Sequence, residues 1–181
     1  LRKDKLLLFA VIFVSAQVLL AVFAPIIGRD PIEQVIMARM KGPSIEYLLG
    51  TDQLGRDILA RILFGYRTSL MTCGLAVLLA LIVGGSLGML AAYYRGWFDR
   101  IVMRFMDVLF AFPIILLAIG IIAVLGPHSL SASVAIAVVY VPIFARLLRG
   151  PSLVICESEY VRGARAIGAS DLRIVFIHLL P

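Results

Sequence analysis

The sequence predicts an all-α fold, a polytopic membrane helical bundle with four spans present. Three observations predict it. Apolar residues make up 62% of the 181-residue chain and charged residues only 15%, against roughly 45–50% and about 25% in an ordinary soluble domain. Mean hydropathy is +1.04, so polar side chains are too few to cover the apolar ones in water. Four long runs, almost free of charge, approach or exceed the ~20 apolar residues that a membrane helix needs.

The first run, Leu6 to Ile27, has only Ser15 and Gln17 as polar side chains. Arg2, Lys3 and Lys5 precede it, and Val14-Ser15-Ala16 resembles a cleavage site. The apolar run continues well past that point, whereas a signal peptide's apolar region is only ~7–15 residues; a retained span is expected. The second run, Ser69 to Tyr94, is uncharged. Gly84 and Gly88 within it form a small-xxx-small pair that admits a close helix neighbour. Val108 to Leu125 is the third run. Leu130 to Ala145 is the fourth, extending to Leu148 with Arg146 at its end. Pro113 and Pro142 are expected to kink these last two.

Four spans put both ends on one side. With the N-terminus inside, the inner segments hold eleven Lys/Arg against six Asp/Glu, and outer residues 28–67 hold six against five. Basic residues beside spans set orientation, so the N-terminus is expected in the cytoplasm, in a multi-pass protein of the cell (inner or plasma) membrane. The net charge of +6 is then a topology signal. Nucleic acid is not an expected partner, because no dense basic patch carries interleaved aromatics. The two cysteines, Cys73 and Cys156, make no disulfide framework and match no zinc spacing.

Between the spans, residues 28–50 read as an irregular loop containing Pro31, Gly42, Pro43 and Gly50. In Thr51 to Leu70, Thr51 or Asp52 is the expected helix cap. Leu54, Ile58, Leu59, Ile62, Leu63 and Tyr66 recur on one helical face, with Arg56, Asp57 and Arg61 on the other and Asp57–Arg61 at i,i+4 spacing. Such an amphipathic helix lies in a membrane interface. It reads either as an interfacial anchor or as an outer gate or docking surface, with Asp52, Gly55, Arg56, Asp57 and Arg61 as its candidate residues. Arg104 and Asp107, at i,i+3, read as an ion pair at the inner surface, where arginine can snorkel to water. His128 is a lone turn residue.

Beyond the fourth span, Tyr160, Val161, Ala164 and Ile167 share a helical face. Gly168 and Ala169 interrupt it, and Ser170 or Asp171 can cap a second helix from Leu172 to Leu180. The expectation is two short helices across the base of the bundle, with a simple re-entrant connector as the plainer alternative.

The spacing of Ala164, Gly168, Leu180 and Pro181 resembles the EAA loop of binding-protein-dependent ABC importer permeases, roughly E-A-A-x3-G-x9-I-x-L-P. Arg162 and Gly163 stand where that pattern has Glu and Ala, and His178 replaces its Ile. Leu49-Gly50-Thr51-Asp52-Gln53-Leu54-Gly55-Arg56-Asp57, with Arg61, Gly65, Arg67, Ser69 and Leu70, resembles the segment before the second span in the dipeptide/oligopeptide branch, in its C-type permeases. The resemblance implies about six spans of ~20 residues each, so the chain reads as a fragment lacking the last two. It implies three parts: 1–27 as cytoplasmic start and first span, 28–68 as extracytoplasmic loop with the interfacial helix, and 69–181 as permease core with the coupling segment at 149–181.

The same resemblance implies a transport role and no enzymatic one. The chain has no G-x-x-x-x-G-K-[ST] phosphate loop, so no cofactor is expected in it; ATP and magnesium would be bound by cytoplasmic ATPase subunits. Those subunits would dock at Ala164, Arg165, Gly168, Asp171, Leu180 and Pro181. A second homologous permease would complete the pore, and an extracytoplasmic solute-binding protein would deliver dipeptides or oligopeptides. Competing readings are a permease of the same branch for nickel or another small solute, an ion-coupled secondary transporter and a membrane scaffold. The secondary transporter calls for mid-membrane carboxylates or repeated broken helices, and neither stands out in the sequence.

Overall fold

The computed structural model describes residues 5–175 and 177. Among them there is no β-strand, and eight α-helices carry the chain: α1 (Lys5–Ile27), α2 (Ile58–Ala80), α3 (Ser86–Tyr94), α4 (Gly96–Ala111), α5 (Ile114–Leu125), α6 (Ser129–Glu157), α7 (Glu159–Ala166) and α8 (Asp171–Ile174). They fall into two compact units, Leu1–Met71 and Thr72–Pro181. By length and composition three helical stretches suffice to cross a membrane, Lys5–Ile26, Ile58–Tyr94 and Ser129–Glu157, and a fourth crossing requires the bent pair α4 and α5 to act together.

In the first unit, α1 is apolar all round and exposes most of its large side chains, the pattern of a helix surrounded by lipid. Its end meets α2 where Gly28 lies: a Cβ there would sit 3.6 Å from the Ala60 Cα and 3.4 Å from the Phe64 ring. Residues 51–57 are not helical. They fold back through a bridge between Thr51 and Asp57, and the helix begins at Ile58. The expected separate interfacial helix over 51–70 is therefore replaced by a turn and the first part of α2.

In the second unit, α6 is the hub against which α3, α4 and α5 pack. A π-helical turn, Leu81–Gly85, joins α2 to α3. Here the small-residue pair finds its neighbour. A Cβ on Gly84 would lie 2.3 Å from the Val141 carbonyl oxygen, and one on Gly88 would lie 2.1 Å from that of Ala145. Backbone packs directly on backbone at this seam, and Ala80, Ala91, Val102, Met106, Ala137 and Val141 fill the core around it. α6 runs unbroken through Pro142 and Pro151.

The expected third span is broken rather than kinked. α4 and α5 meet at 94°. Proline disfavours helical backbone in the residue before it, and Phe112 is extended, with φ −78° and ψ 137°. α5 alone has 12 residues, about 18 Å at 1.5 Å per residue, which is shorter than the ~30 Å hydrocarbon core.

Candidate functional site

The helix break at the end of the described chain is built by Gly168. Its φ is +80°, a left-handed conformation that glycine adopts without a Cβ penalty. The Gly168 N–H donates to the Arg165 carbonyl and the Ala169 N–H to that of Ala164, each at 3.0 Å. This pair of bonds is a Schellman motif, and it turns the chain from α7 into α8, whose first turn closes from the Ile174 N–H to the Ser170 carbonyl.

Two interactions fasten this helix–turn–helix to the end of α3. Val161 and Ile174 are fully buried with Val175, Cys156 and Tyr93 in one apolar cluster. Around it, the Arg165 guanidinium lies 4.8 Å from the centre of the Tyr93 ring, and the Tyr93 hydroxyl donates to the Asp171 carboxylate. Arg165 and Asp171, read from sequence as coupling residues, thus meet on one tyrosine. Ala164 and Gly168 shape the turn between them. Leu180 and Pro181, and His178 beside them, lie outside the described residues. Of the face expected from Tyr160, Val161, Ala164 and Ile167, only Val161 is buried. Ile167 is 87% exposed because it is the last residue before the backbone leaves the helix, at φ −88° and ψ 9°. Tyr93 was not singled out by sequence; its one signal is an aromatic at the end of an apolar run, where membrane interfaces collect them.

Beside this assembly, ion pairs tie α3 and α4 to α6. Asp99 accepts from Arg149 Nε and Nη2, both at 2.6 Å. Asp107 accepts from Arg146 at 2.7 Å, with that guanidinium 4.5 Å from the Phe110 ring centre. The expected Arg104–Asp107 pair is therefore not formed: the carboxylate turns to the neighbouring helix instead. Arg95, with a left-handed φ of 52°, reaches Glu157 at 3.1 Å.

In the first unit, Asp52, Gly55, Arg56, Asp57 and Arg61 come together as a structured turn. Asp52 is its hub. One carboxylate oxygen accepts the N–H groups of Leu54 at 2.8 Å and Arg56 at 3.0 Å. The other accepts the guanidinium of Arg56 at 2.8 Å and that of Arg61. Gly55, at φ +75°, packs so close to the Val35 carbonyl that a Cβ would fall 2.0 Å from its oxygen. The cap of α2 is Asp57, which accepts the Leu59 N–H at 2.8 Å, and not Thr51 or Asp52. Thr51 is instead buried and donates its hydroxyl to the Ala38 carbonyl. Arg61 pairs with Asp52 and not, as its i,i+4 spacing suggested, with Asp57.

Burial of Asp52 raises its pKa, but the Arg56 and Leu54 amides and the Arg56 guanidinium outweigh it and hold the carboxyl well below the usual range. A depressed folded pKa adds stability above the unfolded value of about 3.9, lost only as pH falls through the lower folded value. The turn should therefore keep its amide chemical shifts at Leu54 and Arg56 from pH 7 to pH 5, whereas Asp52→Asn should shift both at pH 7. A change between pH 7 and 5 in the unsubstituted protein would contradict this account.

Residues 84–181 match the family described as binding-protein-dependent transport system inner membrane component. Over its whole length the chain is 43% identical to a dipeptide transport system permease protein, DppC, of Alkalihalophilus pseudofirmus, covering 60% of that relative. It is 50% identical over 141 residues to a glutathione transport system permease protein, GsiD, of Pectobacterium atrosepticum, with 78% of the chain and 47% of the relative aligned. A putative peptide transport system permease protein of Brucella suis is 47% identical over 91% of the chain and 55% of its own length. The chain spans 47–60% of the length of these relatives. A family match over more than half of the chain, joined to apolar helices long enough to cross a membrane, leads to one conclusion: the chain belongs to the binding-protein-dependent transport system inner membrane components.

Proposed function

We propose that the chain belongs to a permease subunit in an ATP-driven importer of dipeptides or oligopeptides, and that α7, the Gly168 turn and α8 form its coupling segment. The observation that carries the proposal is the attachment of that segment to α3 through Val161, Ile174 and the Arg165–Tyr93–Asp171 contacts. A push on an exposed segment moves a span only if the two are joined. The names of the relatives, which include dipeptide and glutathione permeases, support a peptide-like substrate over nickel. Family membership favours ATP-driven transport over ion coupling.

In this reading, soluble ATPase subunits dock on the exposed side around Ile167 and Gly168. A second permease completes the pathway, and a solute-binding protein approaches on the far side, near the Asp52 turn. The N-terminus lies in the cytoplasm. Docking shifts the permease between states only by making different contacts in each, and a segment locked to α3 transmits that difference.

Gly168→Val tests the reading. A β-branched residue is disfavoured in left-handed backbone, at a cost of roughly 1–2 kcal/mol, so the variant misdirects α8 without touching the spans. In the full-length transporter in proteoliposomes, membrane insertion should stay normal while peptide taken up per ATP hydrolysed falls several-fold. Gly168→Asn, which tolerates that backbone, should restore most of it. Unchanged coupling in Gly168→Val would refute the assignment.

A further inference from the structure

We infer that α4 is an interfacial helix whose outer face holds the phosphate of an anionic phospholipid between Arg100 and Arg104. The geometry begins at the break before α5. α5, Ile114–Leu125, has no polar side chain and belongs in hydrocarbon. α4 is turned 94° away from it and so runs along the membrane surface. Its ion pairs agree. Arg146 and Arg149 lie about 4.5 Å apart along α6, while their partners Asp107 and Asp99 lie about 12 Å apart along α4, so the two helices cross steeply.

Around α4 the side chains divide as an interfacial helix requires. Val102 and Met106 are buried against the bundle. Trp97, Ile101, Phe105 and Val108, at i, i+4, i+8 and i+11, form an outward stripe with exposures of 66, 58, 57 and 50%. Arg100 and Arg104 flank that stripe, each about 100° round the helix from its apolar neighbour. They open onto a cleft of about 620 Å³ shared with Asp99, Asp107, Arg146 and Arg149.

Charge decides what fits. The cleft holds four arginines and two aspartates, and each aspartate is taken by an arginine of α6. Arg100 uses its Nε on the Gly96 carbonyl. Neither Arg100 nor Arg104 has a carboxylate partner among the described residues. Two unneutralised guanidinium groups one helical turn apart, beside an apolar stripe that accepts acyl chains, match a lipid phosphate. A zwitterionic lipid brings its own cation into the same cleft and fits less well.

Trp97, the one tryptophan of the chain, reports on the site. The full-length protein is placed in lipid nanodiscs, and Trp97 emission is isolated as the difference from a Trp97→Phe variant. Brominated phosphatidylglycerol, diluted into phosphatidylcholine, should quench it more strongly than the same amount of brominated phosphatidylcholine. The preference should fall about five-fold for each arginine replaced by glutamine, at about 1 kcal/mol per basic residue, and survive in Arg100→Lys/Arg104→Lys. If the glutamine variants do not fold, high salt should erase the preference in the unsubstituted protein. Equal quenching by the two lipids, or a preference that persists in Arg100→Gln/Arg104→Gln, would overturn the inference. So would the absence of quenching by either lipid, which would mean that another protein surface covers the stripe.

Discussion

Gly88→Ala should lower the thermal midpoint of the detergent-solubilised full-length protein more than any other glycine-to-alanine change in the described helices. The added Cβ would lie 2.1 Å from the Ala145 carbonyl oxygen and 2.9 Å from its carbon. The obstacle is backbone, so no rotamer change relieves it, and α3 must separate from α6 along the principal packing seam of the second unit. Overpacking costs typically 1–3 kcal/mol, and the absence of a flexible neighbour puts this site at about 3 kcal/mol or above. The seam also sets an order. Gly84→Ala meets the Val141 oxygen at 2.3 Å and should cost nearly as much. Gly85→Ala meets the Leu148 Cδ1 at 2.6 Å, a side-chain end that can turn away, and should cost less. Gly120→Ala meets nothing within 4 Å and gains up to about 1 kcal/mol in helix propensity. Differential scanning fluorimetry of the four variants checks the order, and equal midpoints for Gly88→Ala and Gly120→Ala would remove the seam as the organising contact.

Gly84 and Gly88 illustrate what could be read in advance. A small-residue pair one helical turn apart is a local pattern, so the tendency to close packing was legible. Its partner, Val141 to Ala145, was not, because nothing near either segment encodes the pairing. The Gly168 break was legible for the same local reason. The tyrosine that receives Arg165 and Asp171 lies 78 residues from Asp171 and left no pattern.

Where expectation and structure part, a local rule lost to a competing one. The apolar periodicity from Leu54 onward suggested a helix from Thr51. Asp52 can also bond the amides two and four residues ahead, and with Gly55 this side-chain turn prevails over helix until Asp57 caps α2. Hydropathy alone joined Val108 to Leu125 into one run, because averaging over a window is blind to direction. The physical cue was Pro113 acting on Phe112, and it produced a right-angled break where a kink was expected. Arg104 and Asp107 share a helix at favourable spacing, yet Asp107 faces Arg146 of α6, which is fixed there by helix packing. An exposed i,i+3 or i,i+4 pair is worth only ~0.2–0.5 kcal/mol, too little to hold a carboxylate from a well-placed partner.

Arg149→Met should produce the second large loss, because it takes from the Asp99 carboxylate its bidentate partner. The pair is bidentate at 2.6 Å, and the Asp99 side chain is only 17% exposed. Removing one partner of a half-buried, bidentate charged pair costs roughly 1–3 kcal/mol, whereas replacing both by apolar groups is often neutral. The double variant Asp99→Leu/Arg149→Met should therefore recover most of the stability that Arg149→Met loses. Arg146→Leu is the contrast. Arg146 and Asp107 are each about half exposed, at 47% and 52%, and an exposed pair contributes ~1 kcal/mol or less. Thermal midpoints of the single and double variants form a cycle that isolates the coupling. Additive losses at Asp99 and Arg149 would mean that the pair does not act as a unit. A strong coupling has a mechanical corollary. With Asp99 near the start of α4 and Arg149 in the last third of α6, the pair fixes the crossing of those helices close to the Arg95–Glu157 link and the segment that follows it. Under the coupling role proposed above, a displacement of α7 and α8 reaches α4 as well as α3, so Asp99→Leu/Arg149→Met, although stable, should transport less per ATP than the unsubstituted protein.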